Sequence, residues 1–262
     1  MEDFAIYAVF NKEKMGLFGN TAAVVYSENL PSESVMQRLA SDLNQPATTF
    51  IAPAGNDKHY LVRWFAPDAE IGLCGHGTMA AIAHLGQATN DEIHLLAGDH
   101  ELSGRILPNS KAEMKLESIP NSGKTEIPDG LEEALGVAIE AYYPTSNKDI
   151  VVLKSEDDLI QMKPDFQALR NIKVFGYAVT AAGHTVDFVS RTLVPHVQQL
   201  EDHATGSSHA ALAPFWAERL SKTSLTAIQH SPRGGYFKCS VSENQTILSG
   251  SFNIIATGKL TG

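Results

Sequence analysis

"LCGHGTMAAIAHL" occupies positions 73–85, and "ATGSSHAAL" occupies positions 204–212. The two stretches are built alike. Each sets a residue able to act as a nucleophile (Cys74 or Thr205) before a glycine (Gly75 or Gly206). A polar side chain follows (His76 or Ser207), then a second small residue (Gly77 or Ser208), then an alanine-rich helical run. Cys74 and Thr205 are 131 residues apart, half of the 262-residue chain. Each half opens with apolar strands and carries one long helix after its motif. The echo predicts two similar half-domains, each with one central helix.

The remaining pattern fits a mixed α and β chain. Short apolar, β-branched or aromatic runs predict strands at 5–10, 21–26, 60–66, 92–97, 112–118, 149–154, 185–192, 236–242 and 246–255. Helices are expected at 32–43, 76–85, 129–138, 164–172 and 209–220, with Pro214 better suited to a helix start. Strict strand–helix alternation is absent, which disfavours a doubly wound parallel sheet. The polar, Gly- and Pro-bearing stretch 121–130 predicts the boundary. It divides the chain into 1–125 and 126–262, with the chain end free to pair back with the first half.

Composition narrows the function classes. Hydrophobic residues make up 43% and charged residues 19%, an ordinary globular balance. The net charge of −10 argues against a nucleic-acid partner, which calls for a basic stripe. No apolar run approaches the roughly 18–20 residues of a membrane span. The acidic start, MEDFAIYAVF, is no signal peptide. A cytoplasmic protein without a membrane partner is the expectation. Cys74 and Cys239 make no disulfide framework.

The motifs themselves suggest anion chemistry. A helix N-terminus leaves backbone N–H groups unpaired and carries partial positive charge. Glycine there lets a ligand come close to the backbone. Two such termini on facing walls would seat a carboxylate and stabilise charge as its α-proton leaves. Cys74 and His76 lack further ligands at zinc spacing, the glycine order is not the dinucleotide fingerprint, and no phosphate loop occurs. No metal or cofactor is expected. Plainer roles compete: Asp202 as a helix cap, Asn20 as a turn residue, His209 as a buried polar group, and Arg233–Gly235 as the start of a strand.

FGNTAAVVY (18–26), RWFAPDAEIGLCGHGTMAAIAHL (63–85), DFVSRTLVP (187–195), EDHATGSSHAALAPFW (201–216) and RGG (233–235) together resemble the PhzF-like, phenazine-biosynthesis family of isomerases, which share the diaminopimelate epimerase fold. The resemblance implies an α+β fold of two pseudo-symmetric halves, each a barrel-like mixed sheet around a central helix. It also implies an active site in the cleft between them, cofactor-free proton movement on a small carboxylic acid, and a homodimer. His76 matches the histidine of C-G-H, and Asp202 and Ser207 match the family's D-x-x-T-G-S; these three are the expected catalytic residues. The expected substrate-binding set is Asn20, Gln45, Ala47, Cys74, Gly75, Gly77, Thr205, Gly206 and Ser208.

One departure stands out. Where the family has a glutamate in S-E-T-A-F, this chain has Ala47 within PATTF (46–50). In the family that glutamate moves the proton, and alanine cannot. Asp202 and His76 remain as titratable groups. Two rival readings follow: an inactive protein that binds a small acid, or a racemase or dehydratase using Cys74 as its single base.

Overall fold

The computed structural model describes residues 2–55, 58–89 and 91–260. The chain divides into two compact units, 2–116 with 247–260, and 117–246. The first contains β1 (Glu2–Asn11), β2 (Asn20–Tyr26), α1 (Glu33–Leu43), β3 (Thr48–Pro53), β4 (His59–Phe65), β5 (Glu70–Ile71), α2 (Gly75–Leu85), β6 (Ile93–Ala97), β7 (His100–Leu107) and β8 (Lys111–Glu117). The second contains α3 (Leu131–Leu135), β9 (Ala141–Tyr143), β10 (Asp149–Val152), α4 (Glu156–Gln161), α5 (Phe166–Leu169), β11 (Tyr177–Ala182), β12 (Phe188–Leu193), β13 (Glu201–Asp202), α6 (Gly206–Leu220), β14 (Ser224–Gln229) and β15 (Gly235–Ser242). The last strand, β16 (Gln245–Leu260), belongs to the first unit from Ile247 onward.

In the first unit, β16 follows β8 and pairs back to β1, from Glu2↔Leu260 to Asn11↔Ser251. Eight strands therefore close into a barrel in the order β1-β2-β3-β4-β6-β7-β8-β16. Closure leaves none of these eight strands at an edge. Helix α2 packs on β1, β2, β3, β6 and β7. It is buried on almost every side, and only His84 is half-exposed. That explains its sequence: a helix apolar all round has sheet on every face. Small residues Ala80, Ala81 and Ala83 let the strands come near. Helix α1 covers the sheet from outside, where Met36 and Ala40 meet Val25, Phe50 and Phe65.

From β9 to β15 the second unit repeats β1 to β7 of the first. In the first, β1 and β2 are antiparallel, β2 and β3 parallel, and β3 and β4 antiparallel. In the second, β9, β10, β11 and β12 pair in the same sequence of senses. A two-residue strand then folds back on its predecessor: β5 on β4, and β13 on β12. Next comes the buried helix, α2 or α6. The strand after it lies parallel to the one before, β6 to β4 and β14 to β12. A parallel pair needs a crossover. In both units the buried helix supplies it, and each glycine-led motif opens that helix.

Several elements went unseen in the sequence. Strands β3, β5, β7, β9, β11, β13 and β14 and helix α4 add to the expected set. In β7, HELSGRIL, polar residues and Gly104 hide the pattern. A Cβ on Gly104 would lie 2.3 Å from Glu113 O and 2.4 Å from Ile82 Cδ1, so the glycine marks close approach of β8 and α2. The change of unit falls at Leu116/Glu117, ahead of the expected 125/126. Asn121 and Thr125 are bridged to Thr145 and Tyr142 of the second unit.

Pro214 also differs from expectation. It lies inside α6, not at its start. Proline has no N–H to give the carbonyl four residues back. That carbonyl, of Ala210, instead accepts the Ile119 amide at 3.0 Å. A partner from outside the helix takes the place the proline leaves open.

Candidate functional site

In the first unit the motif forms the first turn of α2. Cys74 is the N-cap, and its Sγ accepts the Gly77 N–H at 3.4 Å. Its carbonyl accepts both the amide and the hydroxyl of Thr78, at 2.8 and 2.7 Å. The His76 ring lies against the same sulfur, with Nδ1 at 3.6 Å and Nε2 at 3.7 Å. Both side chains are buried, at 4% and 6% exposure. Gly77 is sterically required: an added Cβ would stand 2.7 Å from Trp64 Cδ1 and 2.8 Å from Thr49 Oγ1.

The other expected residues of this unit fall into two groups. Ala47 is fully buried, just ahead of β3, and its carbonyl accepts the Ala23 amide at 2.9 Å. Two residues on, the Thr49 hydroxyl donates to Gly77 O at 3.3 Å, so β3 runs beside the first turn of α2. Asn20 is fully buried at the start of β2, and its Oδ1 accepts the Thr21 amide at 2.9 Å. Gln45 is half-buried and donates to Leu43 O at 3.1 Å, holding the turn after α1.

In the second unit Thr205 takes the N-cap position of α6, as Cys74 does for α2. Its hydroxyl does not cap the helix. It donates instead to Asp202 Oδ2 at 2.7 Å. The cap side chain is thus turned away from the first amides of α6. Ser207 Oγ accepts from Lys148 Nζ at 3.0 Å, and the same ammonium reaches Asn147 Oδ1 at 2.7 Å. Lys148 is only 7% exposed. Ser208 is fully enclosed and accepts from the Thr192 hydroxyl at 3.0 Å.

His209 belongs to the core of this unit. Its Nδ1–H donates to Thr205 O at 2.8 Å, and the ring stacks on Phe237 with centroids 3.6 Å apart. Burial lowers its pKa to about 4, so the imidazole is neutral at physiological pH. The glycine of the RGG stretch also serves the chain itself. A Cβ on Gly235 would lie 2.7 Å from Ala204 Cβ, so β15 packs directly under the loop that carries Asp202 and Thr205.

Two residues of this arrangement had no sequence signal. Lys148 sits in a polar run, SNKD, before a buried strand. Gln229 ends β14, yet it is fully buried and reaches the Asp202–Thr205 loop. Strand β14, SLTAIQ, is itself half polar, so its last residue does not stand out. Among the described residues, three potential metal ligands gather only at His59, His94 and Glu101, and not at either motif.

A family model described as "Phenazine biosynthesis-like protein" matches residues 7–254, which include both motifs. The chain belongs to the phenazine biosynthesis-like protein family. Among its relatives in that family is an uncharacterized isomerase of Pseudomonas aeruginosa. That protein is 36% identical over 245 residues, 92% of this chain and 93% of the relative. The crystal structure of a PhzF family protein from Enterococcus faecalis matches with a TM-score of 0.90 at 34% identity, covering 99% of each chain. A probable proline racemase from Agrobacterium radiobacter, solved with bound carbonate, matches with a TM-score of 0.67 at 10% identity, over 100% of this chain and 93% of that one. The last likeness is one of fold. This phenazine biosynthesis-like chain has the α+β architecture of the diaminopimelate epimerase type, a barrel-like sheet around a central helix given twice.

Proposed function

We propose that the protein is a cofactor-independent isomerase that moves a proton on a small carboxylic acid. Its family membership and its isomerase-named relatives support that reaction class. The observation that carries it is the repeated crossover: each unit delivers a glycine-led helix N-terminus at the same topological position. In this reading the amides of Gly75, His76 and Gly77, and those of Gly206 and Ser207, are anion seats for the substrate's carboxylate. Removing the α-proton builds negative charge there, where oriented amide dipoles lower its energy.

Asp202 and His76 share the proton transfer, since Ala47 offers no carboxylate. The Asp202 carboxylate is oriented by the Thr205 hydroxyl and serves as the base. Lys148 acts behind Ser207. Its N–H occupies a lone pair of Ser207 Oγ, which leaves the serine proton to be donated to a substrate oxygen.

A second reading has its own observation. Cys74 Sγ lies 3.6 Å from His76 Nδ1, a thiol and an imidazole close enough to exchange a proton. Incubation of amino and hydroxy acids with the protein in D2O, followed by NMR, separates the readings. α-Deuteration that survives Cys74→Ser and is lost in Asp202→Asn or His76→Ala supports the first. Exchange abolished by Cys74→Ser alone supports the single-base thiol. Tight binding with no exchange overturns both in favour of a binding protein.

A further inference from the structure

The first unit carries a second cluster with ligand chemistry, on three neighbouring strands. His59 opens β4 and stands directly beside His94 of β6 in the parallel register. In the β6–β7 ladder, His94 faces Ser103, and Glu101 lies two residues along from Ser103. Residues two apart share a face of a strand, so all three side chains project from one face of the sheet. The imidazoles are stacked, with centroids 4.6 Å apart and planes 9° from parallel. His94 Nδ1 and Glu101 Oε1 are 2.7 Å apart. One donor atom from each of the three residues lies within 4.8 Å of the others.

We propose that His59, His94 and Glu101 form a binding site for a borderline divalent transition-metal ion, Zn2+ being the type. The donor set decides the class. Two imidazoles and one carboxylate suit zinc, copper or nickel, whereas calcium and magnesium require a shell of oxygens. Tetrahedral zinc draws two nitrogens to about 3.4 Å from each other at bonds of about 2.0–2.1 Å. The donor atoms already lie within 4.8 Å of one another, and binding would exchange the His94–Glu101 hydrogen bond for two bonds to the ion. The side chains are partly open to solvent, His94 at 30% and Glu101 at 56%, so an ion can enter. A fourth position is left for water. Nearby charge does not oppose a cation: Lys58 is paired with Asp91 at 2.7 Å, and Lys115 with Glu92 at 2.5 Å. The net charge of −10 favours cation approach. A bound ion would tie β4, β6 and β7 to one another.

The test uses the full chain, freed of metal with a chelator and titrated with ZnCl2 by calorimetry, with melting followed in parallel. The expected result is one equivalent bound and a rise in Tm. In His59→Gln and His94→Gln the affinity falls by at least the ~10–100-fold that follows loss of a ligand's supporting partner, and the rise in Tm disappears. These positions are half-buried, so the metal-free Tm of each variant serves as the check on folding. MgCl2 should give no heat at equal concentration. The proposal is overturned by three results: no zinc binding, binding unchanged in both histidine variants, or binding lost in Cys74→Ser instead.

Discussion

Gln229 holds Thr205 from both ends of its side-chain amide. Oε1 accepts the Thr205 N–H at 2.8 Å, and Nε2 donates to Thr205 Oγ1 at 3.0 Å and to Asp202 O at 2.6 Å. The residue is fully buried, so these groups have no water to fall back on. Gln229→Ala should therefore lower unfolding stability by about 2 kcal/mol in urea titration. It should also weaken α-proton exchange, because the loop that orients Asp202 loses its anchor. Gln229→Glu keeps the acceptor and loses both donations, so its effect on exchange should be close to that of alanine.

Gly77→Ala tests the other motif. The added methyl meets Trp64, Thr49 and the Cys74 sulfur at 2.7, 2.8 and 3.1 Å. Overpacking of this kind costs about 1–3 kcal/mol. The first turn of α2 should shift, and exchange should fall with it. Gly72→Ala is the control, since nothing lies within 4 Å of its added carbon; its stability should stay within about 0.5 kcal/mol of the parent.

Lys148 separates charge from packing. Lys148→Met keeps an apolar stem of similar size and removes the N–H given to Ser207. Exchange should drop about tenfold or more if the serine works as a polarised donor. Lys148→Arg should recover part of it. An unfolding midpoint near the parent's alongside the slower exchange would separate this role from simple support of the fold. Equal loss in the Met and Arg variants, tracking stability, would contradict the assignment.

His209 sets a pH dependence of stability. Its folded-state pKa is lowered from 6.5 to about 4 by burial. The unfolded chain takes up the proton near 6.5, and the folded chain does not until about 4. Stability from this group is therefore full above about pH 6.5, declines as pH falls, and levels off below about 4. The span corresponds to about 3 kcal/mol. Urea midpoints measured from pH 7.5 to 4 should decline less steeply in His209→Phe, whose ring can keep the stack on Phe237.

How far the sequence could be read depends on the range of the signal. The motifs at 74–78 and 205–209 are local, and both open a buried helix as their glycines and alanines predict. The repeat they hinted at runs through the pairings of β1 to β7 and of β9 to β15. Strands such as β14 escaped because their polar residues face partners far along the chain. Gln229, for instance, binds Thr205, 24 residues back. Lys148 escaped for the same reason, since Ser207 is 59 residues away. Pro214 misled because the rule against helical proline assumes that no outside amide is at hand, and Ile119 supplies one.

The return of β16 to β1 has a consequence for how the protein is made. Glu2 is paired with Leu260, and the second unit occupies the chain between β8 and that closing strand. On the ribosome, this barrel is begun before the second unit and finished after it. Until β16 emerges, β1 and β8 have exposed edges, and α2 sits in an open trough. Pairings this distant in sequence form slowly. Until it closes, the half-built barrel carries open strand edges that can pair with other chains.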